Sequence, residues 1–67
     1  MMEEEQMLKW FAYEHLPTEL QQTSAPFALL AEQMCVWLVS GPERTVMLRK
    51  LLEAKDAAVR AMVHPGG

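Results

Sequence analysis

The sequence predicts an all-α fold: a short N-terminal helix followed by two long antiparallel helices that form a hairpin, assembled as a homo-oligomer. Three observations carry this expectation. Apolar residues recur at helical spacings of three and four over two long stretches. Apart from Pro26, the breakers are confined to Pro17, "SGPE" at 40–43 and the terminal "HPGG". The last stretch bears an apolar arc wider than one hairpin partner covers. At 67 residues, 51% hydrophobic and 22% charged, the chain suits a single small domain over 1–67, close to the lower limit at which one core sustains a fold. Extra burial from self-association would help it.

The first helix is expected over about 3–12. Glu3, Glu4 and Glu5 suit a helix N-terminus, where they meet the positive end of the macrodipole. Pro17 stops the segment, because the residue before a proline is pushed out of the α region. In "TELQ", Thr18 precedes Gln21 by three residues, a capping-box pattern that starts a second helix over 18–39. Leu20, Ser24, Phe27, Ala31, Met34 and Leu38 lay one seam along it. Pro26 falls within this span. It either kinks one long helix, the preferred reading, or sits in the first turn of a helix that begins at Ser24. Gly41 then suits the end of the second helix and Pro42 the first turn of a third, over 42–63, which closes before Pro65. Long helices joined this tightly fold back antiparallel.

On the third helix Met47, Leu51, Ala54, Ala58 and Ala61 form one seam, whose alanines permit close approach of helix axes. Leu48, Leu52, Val59 and Met62 run beside it. Together they cover an arc of about 200°, against the ~100° of a helix with one buried face. The first helix, with Met7, Leu8, Trp10 and Phe11, covers part of it; self-association is the preferred cover for the remainder. The opposite face carries Arg49, Glu53, Asp56 and Arg60, whose i,i+4 pairs Arg49 with Glu53 and Asp56 with Arg60 read as a solvated face. Lys55 falls inside the apolar arc. It lays its stem on apolar surface, or pairs with an acid or a ligand phosphate at a subunit boundary.

The formal net charge of -3 supplies no basic field for a long nucleic acid, whereas a compact anion needs only a few placed cations. The acidic start "MMEEEQ" is unlike a signal peptide, and no apolar run reaches the ~18 residues of a membrane span. A soluble cytoplasmic protein is expected. The single cysteine, Cys35 in "MCVWL", allows no internal disulfide and reads as a small buried hydrophobe. His15 and His64 lie on separate segments, and no HExxH or glycine-rich phosphate loop is present. No metal, cofactor or catalytic group is expected. In "FAYEHLP" at 11–17, Phe11 and the preceding Trp10 read as packing and Pro17 as punctuation. Tyr13 is either an amphipathic residue at the core edge or a ring for stacking, with Arg or Lys from a neighbouring chain meeting a phosphate.

Tyr13, Leu16, a long helix, a tight turn and the closing "AAVRAMVHP" resemble the phage anti-CBASS cyclic-oligonucleotide sponge family, type 2. Tyr13 and Leu16 match its Tyr-x-x-Leu approach to the second helix, "ERTVMLRKLLEA" its opening of the third, and Leu51, Ala57, Val59, Arg60, Ala61 and Pro65 its end pattern. The resemblance implies a homohexamer that sequesters the cyclic di- or trinucleotides of bacterial CBASS immunity without cleaving them, in the cytoplasm of the infected host cell. It implies base stacking by Tyr13 between protomers and a phosphate contact from Arg60. Some relatives place a ligand-contacting lysine fifteen residues after the tyrosine, and Ala28 stands there in this chain. Since 18–39 contains no basic residue, any phosphate would be met by Arg49, Lys50, Lys55 or Arg60, or by Lys9. The alternative is a small helical oligomer that docks a protein partner and takes no nucleotide.

Overall fold

The computed structural model describes residues 2–66, with side chains from Gln6 onward. Three helices follow in order: α1 Met2–Lys9, α2 Thr18–Trp37 and α3 Pro42–Val63. A 22-residue helix is about 33 Å long, and the molecule measures 36 × 23 × 18 Å. The two long helices therefore lie side by side as a hairpin, and α1 rests on α3. No strand occurs among the described residues.

The helix ends depart from the sequence expectation for identifiable reasons. α1 stops at Lys9, short of Ala12, because the hydrogen bonding tightens: Trp10, Phe11 and Ala12 each donate to the carbonyl three residues back, at 3.0, 3.1 and 3.2 Å. The side chains of Glu3, Glu4 and Glu5, expected to favour that helix start, lie outside the described residues. α2 starts at Thr18 as expected, yet without a capping box. Pro17 is the N-cap, and its carbonyl accepts from the Leu20 and Gln21 amides, both at 2.9 Å. The Gln21 side chain does reach back, but its Nε2 donates to the carbonyls of Leu16 at 2.7 Å and Glu14 at 3.3 Å. It thereby ties the loop after α1 to the first turn of α2.

α2 passes through Pro26 without interruption, so a start at Ser24 is excluded. A proline there leaves the carbonyl four residues earlier, that of Gln22, without its helical donor. Gln22 and Pro26 are both exposed, so this break in the hydrogen-bond ladder falls outside the core.

The α2–α3 turn works differently from the expected glycine stop. α2 ends at Trp37, two residues before Val39, with Leu38 as C-cap donating its amide to Met34 at 2.9 Å. Gly41 is the N-cap of α3 in an extended conformation open to any residue, and a Cβ there would meet nothing within 4 Å. The C-terminal carbonyls of α2 are instead met by Arg44, whose Nη1 donates to Cys35 O at 2.8 Å and Leu38 O at 2.7 Å. A cation at a helix C-terminus also opposes the macrodipole. α3 begins with Pro42 in its first turn and closes at Val63, where the His64 amide donates to Arg60 O at 2.8 Å.

The core is small: Phe11 (2% exposed), Ala28, Ala31 and Leu48 (0%), with Met7, Leu8, Tyr13, Phe27, Cys35 and Leu52 among the half-buried residues packed against it. Small residues do allow close helix approach, though not where the sequence placed them. The buried residues are Ser24, Ala28 and Ala31 on α2, of which Ser24 and Ala31 belong to the predicted seam, with Thr45 and Leu48 on α3; of the α3 alanines, Ala58 is half-buried and Ala54 and Ala61 are exposed. Of the two α3 stripes only Leu48 is fully buried; Leu52 beside it and Met47 and Leu51 of the other stripe are half-buried against the same core, while Ala54 and Met62 are exposed. Trp10, expected to pack, is 69% exposed.

Candidate functional site

The five sequence-nominated residues fall into separate places. Tyr13 is set by the turn between α1 and α2: its carbonyl accepts from the Leu16 amide at 3.0 Å, and its amide donates to Glu14 Oε2 at 3.2 Å. Its half-buried ring packs on the core and lines a groove of about 230 Å³ with Phe11, Glu14, Ala28 and Glu32. Tyr13 and Ala28, paired in the resemblance by a spacing of fifteen, thus share one groove. Its ionisable lining is otherwise two carboxylates, and no lysine or arginine belongs to it.

Arg60 lies elsewhere. It is exposed near the end of α3 and lines an open groove of about 590 Å³ with Ala57, Ala61, His64 and Gly66, none of which belongs to the Tyr13 groove. It makes no ion pair among the described residues, because Asp56, its expected partner, is taken by Lys55 at 2.7 Å. The Lys55 side chain is only 13% exposed. Its stem is buried, as a lysine within the apolar arc requires, and its head meets the half-exposed Asp56 of the same chain. Lys50 lines a third groove, of about 420 Å³, between α2 and α3, and pairs with Glu53 at 3.7 Å. Arg49 is exposed on the outer face of α3.

The Tyr13 groove therefore has a phenol ring and no lysine or arginine in its lining, and the grooves lined by Arg60 and Lys50 have no tyrosine, tryptophan or phenylalanine. Tyr13 presents a stacking face beside acceptor carboxylates, a setting that suits a base edge with N–H donors and repels phosphate. A phosphate bound there would need a cation from a second chain. His15 and His64 are exposed, Cys35 is half-buried, and no group of three or more potential metal ligands occurs among the described residues.

Two features of the site escaped sequence reasoning. Glu32 follows Ala28 by four and so shares its helix face, a signal available from spacing alone. Arg44 lies outside any i,i+4 pattern, and only the hairpin geometry shows its purpose.

No protein-family model, curated protein or solved structure matches this chain. No helix among the described residues is long and apolar enough to cross a membrane.

Proposed function

We propose that this chain is a non-catalytic, self-associating helical sponge that binds cyclic di- or trinucleotides at boundaries between protomers. Following the sponge-family resemblance, it would act as a homohexamer in the cytoplasm of an infected bacterium and withdraw the signal by stoichiometric binding. The observation that supports self-association is the apolar surface left on the protomer. Trp10, Leu29, Val36, Trp37 and Val39 are all exposed, with Trp37 at 72%. So many large apolar side chains left exposed on one small protomer point to burial against other chains. The ligand assignment is carried by the resemblance, and the groove beside Tyr13 is compatible with it. The ring would stack a base, and the phosphates would be held by Arg60, Arg49 or Lys50 from an adjoining protomer.

Titration calorimetry with cyclic dinucleotides, cyclic trinucleotides and their linear counterparts tests this. Saturable binding of one cyclic species, lost in Tyr13→Ala while the assembly persists, is the expected result. Unchanged affinity in an intact Tyr13→Ala assembly would remove Tyr13 from the site. Glu14 and Glu32 in the Tyr13 groove favour a second reading, a helical oligomer that docks a protein partner and takes no nucleotide. Absence of binding across the whole panel would select it.

A further inference from the structure

Two of the grooves are complementary in charge. The Tyr13 groove has Glu14 and Glu32 as its charged lining, both exposed. Glu14 uses one oxygen on the Tyr13 amide, at 3.2 Å, and the Glu32 carboxylate meets no cation among the described residues. The Arg60 groove is the opposite case. Ala57, Arg60, Ala61 and His64 recur at spacings that keep them on one face of α3, so small residues flank the exposed arginine. Ala57 is nine residues beyond the buried Leu48, about 180° round the helix at ~100° per residue, which turns this face away from the core. On the same helix Arg44 caps α2, Lys50 meets Glu53 at 3.7 Å and Lys55 meets Asp56 at 2.7 Å. The Arg60 side chain meets no acid among the described residues. The Tyr13 groove of its own chain is out of reach: Phe11 and Ala28 line that groove and pack with Leu48 in the core, and Arg60 stands twelve residues further along α3, about 18 Å away along the axis.

We infer, on the self-association reading above, that the Tyr13 groove receives Arg60 from a second copy of the chain. A guanidinium presents its N–H donors in a planar fork, and a carboxylate accepts them in pairs. Glu32 supplies that acceptor, and the half-buried Tyr13 ring beside it offers a face for a cation–π contact. Each group lacks a countercharge in the protomer, so one contact between chains satisfies both. The donors that Glu32 leaves over remain available to an anion. A groove that repels phosphate in the single chain thereby becomes one that holds it in the assembly. Of the cations that could serve a nucleotide stacked on Tyr13, the pairing selects Arg60.

The test is a charge swap, read by sedimentation over a concentration series at low ionic strength and without nucleotide. Glu32 is the acid to vary, because Glu14 also holds the Tyr13 amide. Glu32→Arg sets two cations against each other at every contact and Arg60→Glu sets carboxylates together, so each variant should associate about tenfold more weakly than the parent. The first lowers the net negative charge of the chain and the second raises it, so a bulk charge effect would move the two in opposite directions. Both changes in one chain restore opposite charges at each contact, and the double variant should recover association to within about threefold of the parent. Both residues are exposed, and circular dichroism verifies that the helices persist; where a reversal reduces helicity, Glu32→Gln or Arg60→Gln takes its place and should still weaken association. Single variants that associate like the parent, or a double variant that fails to recover, would overturn the inference while leaving an oligomer formed through another surface intact. A parent chain that is monomeric at all concentrations would overturn both this inference and the self-association reading.

Discussion

Arg44 offers the sharpest test of how the hairpin is held. Its guanidinium meets Cys35 O at 2.8 Å and Leu38 O at 2.7 Å, closing the C-terminus of α2 from the first turn of α3. Arg44→Met keeps the apolar stem and removes the donors. A hydrogen bond from a charged group contributes about 1.5–3 kcal/mol when desolvated. The Cys35 acceptor is part-buried and the Leu38 acceptor exposed, so the first bond belongs near the low end of that range and the second below it. A total loss of about 2 kcal/mol is expected. For a domain of this size each kcal/mol shifts Tm by about 4–8 °C, so the midpoint should fall by about 8–16 °C. Thermal unfolding followed by far-UV circular dichroism, at one fixed protein concentration, measures it. Arg44→Lys retains a cation at the helix end, worth about 0.3–1 kcal/mol, and should recover part of the loss. A shift of less than about 3 °C in Arg44→Met would refute the assignment of Arg44 as the clamp of this turn.

Other substitutions probe the core and the surface. Leu48 is fully buried at the centre of a small core, so Leu48→Ala should cost about 2–5 kcal/mol and leave the chain largely unfolded, as read by denaturant titration. Ser24 is buried with its Oγ lacking a hydrogen-bond partner. Ser24→Ala should therefore be neutral or stabilising by up to about 1 kcal/mol, and a larger loss in the same titration would mean that the hydroxyl has a partner after all. Trp10 and Trp37 are exposed on the protomer; concentration-dependent protection of tryptophan fluorescence from acrylamide is expected, whereas uniform quenching would leave both rings outside any interface. Glu32→Gln removes a carboxylate from the Tyr13 groove. It should strengthen binding of a cyclic dinucleotide severalfold if phosphate approaches that groove, and weaken it if the carboxylate reads a base edge, with calorimetry separating the two.

The architecture was legible where local rules and global packing agree. The start of α2 at Thr18, the opening of α3 at Pro42 and its close at Val63 follow from proline chemistry and helical spacing. The ends of α1 and α2 were not legible, because each is set by contacts made after folding. The backbone after Lys9 tightens as Phe11 enters the core, and α2 ends where Arg44 reaches its carbonyls. Close approach of the long helices was foreseen from small residues but assigned to the alanines of α3. Spacing located the apolar arc of α3, whose two stripes both pack against the core, without saying which of its residues would be fully buried. For the candidate site, the sequence nominated Tyr13 and Arg60 individually, and the fold holds them in different grooves of one protomer. Whether a second chain brings such residues together depends on surfaces that no single-chain pattern encodes directly.

Native mass spectrometry of the purified chain with a panel of cyclic di- and trinucleotides tests the central proposal most directly, since one spectrum reports subunit number and ligand count together. The expected result is an oligomer that retains a fixed number of one cyclic nucleotide and releases its linear counterpart. A monomer, or an oligomer that retains none of the panel, would contradict the sponge reading.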